Sequence, residues 1–219
     1  MKKFKHIYPE FMLENLKCEY HSGERFYVVP DGERYQSITS ILSNLSKAGI
    51  SAWRKRVGEK EANRISGKAS RRGSAVHHVC EQYINNQDGY GYLDELPHIV
   101  EMFLSIEPLL DRIDNVRAVE TALWSDELKI AGRTDLIAEF DGQLAIIDYK
   151  TSSRIKTWEM CASYFMQGTF YAHAFEERTG IPIENIVIIM AVEGDKPLLF
   201  RETKSRWLSP LKEVIYKYA

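Results

Sequence analysis

The chain has 219 residues, of which 44% are hydrophobic and 27% charged, and its formal net charge is −2. This balance suits one packed domain with an appendage and excludes disordered, collagen-like and fibrous classes. The longest apolar run is seven residues, Ile186 to Val192, against the roughly 18 needed to cross a bilayer, so no membrane association is expected.

The first predicted elements are a strand from Phe26 to Val29, a turn at Pro30-Asp31-Gly32 and a strand from Arg34 to Ser37, together a small hairpin. Thr39 is placed to cap a helix running through Ser40 to Leu45. From Gly49 to about Asn86 the chain is rich in helix formers, with breaks expected near Gly58, near Gly67 and at Arg71-Arg72-Gly73. Between Lys47 and Arg72 stand nine basic residues and only two acidic ones, Glu59 and Glu61, a local +7 that leaves the rest of the chain near −9. Such a run is either a solvated helix face or a surface that tracks phosphates. Trp53, among these cations, is either a stacking platform for a base or an anchor in the core.

A turn-rich segment, Asn-Asn-Gln-Asp-Gly-Tyr-Gly-Tyr, begins at Asn85, and an amphipathic helix is expected from Leu96 to Leu110. Three strands follow, Val116 to Trp124, Lys129 to Phe140 and Gln143 to Thr151, the last two joined by the tight Asp141-Gly142 turn as an antiparallel meander. A long helix from Thr157 to Arg178, strands Ile186 to Val192 and Leu198 to Thr203, and a last short helix with Ser209 as cap and Pro210 as its first residue complete the pattern. The N-terminal lysines lead into no apolar stretch, so no signal peptide is expected. Cys18, Cys80 and Cys161 are scattered and odd in number, against a disulfide framework or an all-cysteine zinc site, and a reducing, cytoplasmic compartment is expected.

Three constellations carry chemistry. In Arg-Gly-Ser-Ala-Val-His-His-Val-Cys-Glu, His77 and Glu81 are four apart and share a helix face. In Gly-Arg-Thr-Asp and, after the hairpin turn, Asp-Tyr-Lys-Thr, period-two alternation puts Asp148 and Lys150 on one side of their strand and Tyr149 on the other, and the turn can bring Asp135 alongside. Two carboxylates with a histidine make a hard, mixed oxygen and nitrogen site suited to Mg2+ or Mn2+, with the Tyr149 carbonyl within reach as a further ligand. Such a site serves phosphodiester hydrolysis, with Lys150 orienting or deprotonating the attacking water or stabilising negative charge. Glu120 is placed either as an outer carboxylate of this site or as a solvent-facing strand residue. Gln167 and Tyr171, four apart on the long helix, form the third set. No Gly-x-Ser-x-Gly, Walker A or Gly-x-Gly-x-x-Gly pattern occurs, which removes the commonest serine-hydrolase, P-loop and dinucleotide-binding readings.

The ordered set Gly73, His77, Glu81; Gly132, Arg133, Asp135; Asp148, Tyr149, Lys150, Thr151; Gln167, Tyr171 resembles the RecB-like branch of the PD-(D/E)XK nucleases. Upstream, Ser-Ile-Thr-Ser-Ile-Leu-Ser, Ala-Trp-Arg-Lys-Arg-Val-Gly and Arg-Gly-Ser-Ala-Val-His are similar to phage exonucleases related to the mitochondrial genome maintenance exonuclease, over about Ser37 to Val192. The resemblance implies an α/β fold with a restriction-endonuclease-like mixed sheet flanked by helices and an N-terminal helical arm. One nuclease domain over 1–219 is implied, with a hairpin and a basic DNA-guiding helical region in 1–70 and the nuclease core in 71–219.

The implied metal ligands are His77, Asp135, Asp148 and the Tyr149 carbonyl, holding Mg2+ or Mn2+, with Lys150 as the catalytic lysine. Glu81, Glu120, Arg133, Thr151, Gln167 and Tyr171 support the site or contact DNA. Arg54, Arg56, Arg64, Arg71, Arg72 and Trp53 guide the strand. The three cysteines cannot supply the four-cysteine iron-sulfur cluster of some relatives, so none is expected. The implied substrate is single-stranded DNA with a free end, in phage DNA replication, recombination or degradation, in the bacterial host cytoplasm and alongside replication or recombination proteins. A structure-specific endonuclease and a noncatalytic DNA-binding recombination partner are the alternatives.

Overall fold

One edge of a single strand is occupied in two pieces, and the interval between them organises the molecule. In the computed structural model, which describes residues 2–7, 15–87 and 96–219, eight strands form one mixed sheet: β1 (Lys17–His21), β2 (Glu24–Val28), β3 (Arg34–Ser37), β4 (Ile113–Ser125), β5 (Ile130–Phe140), β6 (Gln143–Ser152), β7 (Asn185–Val192) and β8 (Leu198–Thr203). β4 lies antiparallel along one edge of β5 from Phe140 to Ile130. The other edge pairs with β6 only as far as Leu136↔Ile147 and with β3, in parallel, only at Ile130 and Ala131. From Gly132 to Asp135 that edge has no strand partner among the described residues, while β6, paired with β7 from Ala145 to Ser152, runs on beyond Ile147 without β5.

The hairpin at Asp141-Gly142 forms as its sequence predicts, both residues adopting positive φ, 51° and 76°, the backbone a two-residue turn between twisted strands requires. The alternation of apolar residues along β5, β6 and β7 then divides the core between two faces. Leu136, Ala138, Ile147, Tyr149, Ile189 and Ala191 pack under α3 (Glu59–Ile84) and α4 (Pro97–Leu110). Ile137, Ile146, Ile188, Met190 and Val192 pack under α1 (Ile38–Ser43), α5 (Ala162–Thr179) and α6 (Lys204–Tyr218). Gly168 permits a close approach of α5 to the sheet, since a Cβ there would stand 2.5 Å from Ile186 Cγ2.

Several expectations are corrected. Of the three breaks expected in the helical region, the one near Gly58 is present, where φ is 84° and α2 (Lys47–Val57) gives way to α3, and the other two are not. Neither Gly67 nor Arg71-Arg72-Gly73 interrupts α3, whose 26 residues are continuous; the helix cost of about 1 kcal/mol per glycine is outweighed by packing of Val76, Val79, Cys80 and Tyr83 on the sheet. The N-terminal hairpin gains an unpredicted strand, β1, and joins the main sheet through β3. Thr39 lies within α1, whose N-cap is Ser37. A short 3-10 turn at Glu159–Cys161 precedes α5. α6 begins at Lys204 and carries Pro210 in its interior, where Trp207, Leu211 and Ile215 bury their side chains. Residues 88–92 of the turn-rich segment lie outside the described residues. Among the described residues no helix is long and apolar enough to cross a membrane.

Candidate metal and phosphodiester site

The unpaired interval of β5 carries the site. Where the β5–β6 ladder stops, the Tyr149 amide has lost a backbone acceptor, and the Asp135 carboxylate replaces it, its Oδ2 accepting from Tyr149 N at 2.8 Å. The same oxygen lies 3.4 Å from His77 Nδ1, presented by α3 across the sheet. The Tyr149 ring meets the His77 ring edge-on, with centroids 5.8 Å apart, so the residue between Asp148 and Lys150 also fixes the imidazole.

Glu120 approaches from the other side. It falls in β4 between the pairs Val119↔Leu136 and Thr121↔Thr134, opposite Asp135, in the left-handed region at φ 47°. Arg133 holds this conformation, its Nη1 donating to the Glu120 carbonyl at 3.2 Å. His77, Glu120 and Asp135 each offer one donor atom, all within 4.8 Å of one another. Burial, then the Asp135 charge, raises the Glu120 carboxyl from 4.5 to about 7, with Glu81 adding to the rise and His77 and Arg133 opposing it. Glu81 is thus an electrostatic neighbour, one helical turn beyond His77.

Asp148 and Lys150 lie on the α5 side of β6. Asp148 is 1% exposed, and neither of its oxygens has a partner of hydrogen-bond geometry; its countercharge is Lys150 Nζ at 2.5 Å. Burial first raises its carboxyl, the Lys150 charge opposes this, and Asp135 reinforces it. For Lys150, burial alone would favour the neutral amine, but Asp148 and Asp135 outweigh it and hold the ammonium above its ordinary range. Asp148 lies outside the group that His77, Glu120 and Asp135 form and is linked to it through the charge of Asp135; an added cation at that group would relieve the repulsion that Asp135 exerts on both Glu120 and Asp148. The oxygen-rich donor set with one imidazole fits a hard divalent ion.

The other predicted residues are distributed as follows. Tyr171 is buried beneath Gly132, where a Cβ would lie 2.9 Å from Tyr171 Cε1 and from Ile38 Cγ2, and its hydroxyl accepts from Gln167 Nε2 at 3.2 Å. The pair thus supports the unpaired interval of β5 from below. Arg72 is buried and ion-paired to Glu193 at 2.7 Å, with its Nε 3.5 Å from Thr151 Oγ1, which ties α3 to the ends of β6 and β7. Arg54 bonds Glu59 and Asn63 across the α2–α3 junction, and Arg64 bonds Glu61. Arg56 and Arg71 are exposed. Trp53 is half-buried on α2, a helix with no buried residue.

Sequence reasoning left Lys156 and Tyr164 unnoticed. They stand beside Lys150, with Lys156 Nζ donating to Tyr164 Oη at 2.6 Å, and no motif marks them.

The chain is 27% identical over 142 residues to the mitochondrial genome maintenance exonuclease 1 of Homo sapiens, covering 61% of this chain and 39% of that protein. It is 29% identical over 111 residues to the protein of the same name from Mus musculus, covering 49% and 32%. The chain therefore spans well under half the length of these relatives. A crystal structure described as a candidate exonuclease from Eubacterium rectale aligns over 72% of this chain and 73% of that one, with 11% identity and a TM-score of 0.44. Residues 51–196, two thirds of the chain and the whole of the site described above, match the PD-(D/E)XK nuclease superfamily, and the chain belongs to that superfamily.

Proposed function

We propose that the protein is a divalent-metal-dependent deoxyribonuclease, an exonuclease acting on single-stranded DNA with a free end, in phage DNA replication, recombination or degradation. The observation that carries this reading is the convergence of His77, Glu120 and Asp135 with the buried Asp148–Lys150 pair at the unpaired interval of β5. His77, Asp135 and Asp148, with the Tyr149 carbonyl and with Glu120 in reach, are the residues that would hold Mg2+ or Mn2+. When bound, such an ion supplies charge neutralisation at the phosphoryl oxygens and acidifies a water.

The chain's own residues do the rest. Asp135, anchored by the Tyr149 amide, keeps its carboxylate fixed against His77, so the donor set is oriented before substrate arrives. Lys150, whose ammonium form Asp148 favours at 2.5 Å, orients the attacking water and stabilises charge on the phosphate. Arg56 and Arg71, with the exposed Lys47, Lys55 and Lys60, supply a positive surface on α2 and α3 for a strand, while Arg54, Arg64 and Arg72 serve mainly to hold the arm together. Trp53, half-exposed among these cations, is available for base stacking.

The test is digestion of end-labelled linear single strands, linear duplex and circular single strands with Mg2+, Mn2+ or EDTA. The proposal expects metal-dependent loss of the linear single strand with the circle spared. Cutting of the circle would instead indicate an endonuclease, and retention of every substrate by folded protein would indicate a noncatalytic DNA-binding role.

A further inference from the structure

A cleft of about 450 Å³ opens beside Lys150, between α1 and the segment that leads into α5. Its walls combine hydroxyl and ammonium groups with the apolar Leu42 and the Gln167 amide. Thr39, Ser43 and Ser46 line it from the α1 side, and Lys156 and Ser163 from the α5 side, with Met160 at its lip 52% exposed. Lys150 reaches it from the end of β6, so the cleft and the candidate hydrolytic site share a wall.

Lys156 is the distinctive group. Among the described residues it has no carboxylate partner, whereas Lys150 has Asp148. Its Nζ instead donates to the Tyr164 hydroxyl and sits 4.8 Å from the centre of that ring, and Lys150 Nζ lies 5.2 Å from the same ring centre. Two ammonium groups against one ring leave Tyr164 engaged as a cation platform. A half-buried positive charge of this kind, surrounded by hydroxyl donors, is matched by an anion, and the cleft is large enough for one nucleotide unit. Met160, apolar and exposed at the lip, suits contact with a sugar or base.

We propose that this cleft is a nucleotide subsite in which Lys156, positioned by Tyr164, holds the backbone phosphate next to the one that is hydrolysed. The inference rests on the nuclease reading for its choice of ligand, and its test is arranged to be independent of cleavage. The probe is thymidine 5′-monophosphate, titrated by calorimetry in EDTA, with thymidine as the phosphate-free control.

The wild-type protein is expected to bind the monophosphate and not thymidine. Lys156→Ala is expected to weaken that binding roughly tenfold or more, the loss of one charge-assisted contact, and Lys156→Arg to retain most of it, which separates charge from folding. Equal binding by wild type and Lys156→Ala, or no phosphate dependence in the wild type, would overturn the subsite whatever the nuclease assay shows. Conversely, a protein that binds the monophosphate through Lys156 yet hydrolyses nothing would sink the nuclease reading and leave the subsite standing.

Discussion

Glu120 combines two costs at one position, a left-handed backbone at φ 47° and a half-buried carboxylate beside Asp135. Non-glycine residues in that region persist where surrounding structure enforces them, and such strain collects at functional sites. Because its folded value, about 7, lies above its ordinary 4.5, the folded protein holds the extra proton between those values. Stability of the metal-free protein is therefore expected to fall as pH rises through that window, by on the order of 2 kcal/mol once the full value of such a shift is discounted for solvent screening of the partly exposed side chain. Glu120→Gln should remove that slope, raising Tm at pH 8 relative to wild type and much less at pH 4.5. Parallel Tm profiles for the two proteins in EDTA would contradict the assignment. At this scale, Asp148 and Lys150 were legible because period-two alternation at the end of an apolar strand has one outcome. Glu120 was only half legible, since its approach to Asp135 depends on a backbone irregularity that alternation does not encode. Lys156 and Tyr164 were not legible at all, because they meet through the course of the chain between β6 and α5.

The arm built from α2 and the first half of α3 protrudes with little apolar anchoring: Ala62 is its one buried side chain before Arg72. Its cations divide into two groups. Arg54, Arg64, Lys68 and Arg72 are engaged with Glu59, Glu61 and Glu193, while Lys47, Lys55, Arg56, Lys60 and Arg71 are exposed with no carboxylate within ion-pair distance among the described residues. Only the second group is free to neutralise phosphates. Replacing these five by glutamine should flatten the dependence of log affinity on log salt for single-stranded DNA by up to about 3.5, without loss of thermal stability. An unchanged slope, measured by fluorescence anisotropy across a salt series, would remove the arm from the binding surface. The basic run itself was plain in the sequence, but which arginines are engaged depends on where α3 passes Glu193, and the continuity of α3 through Gly67 and Gly73 depends on tertiary packing that outweighs local propensity.

In the whole molecule, the sheet holds together the residues of the proposed site. β5 supplies Asp135, β6 supplies Asp148 and Lys150, β4 supplies Glu120, and α3 brings His77 from one face while α5 supports the interval from the other through Tyr171. The meander of β4, β5 and β6 was readable from alternation and the Asp-Gly turn. The parallel pairing of β3 with β5 was not, since non-local pairing leaves no periodic trace, and yet it bounds the open interval in which the carboxylates meet. The account therefore stands on one claim, that this interval is a metal-dependent phosphodiesterase centre. The most direct measurement is single-turnover cleavage of a linear single strand by wild type, Asp148→Asn and Lys150→Ala, in Mg2+ and in EDTA, with DNA binding followed in parallel. The account predicts cleavage by wild type in Mg2+ alone, and a loss of at least about 100-fold in rate for both variants with binding retained. Cleavage by either variant at the wild-type rate, or by wild type in EDTA, would contradict it.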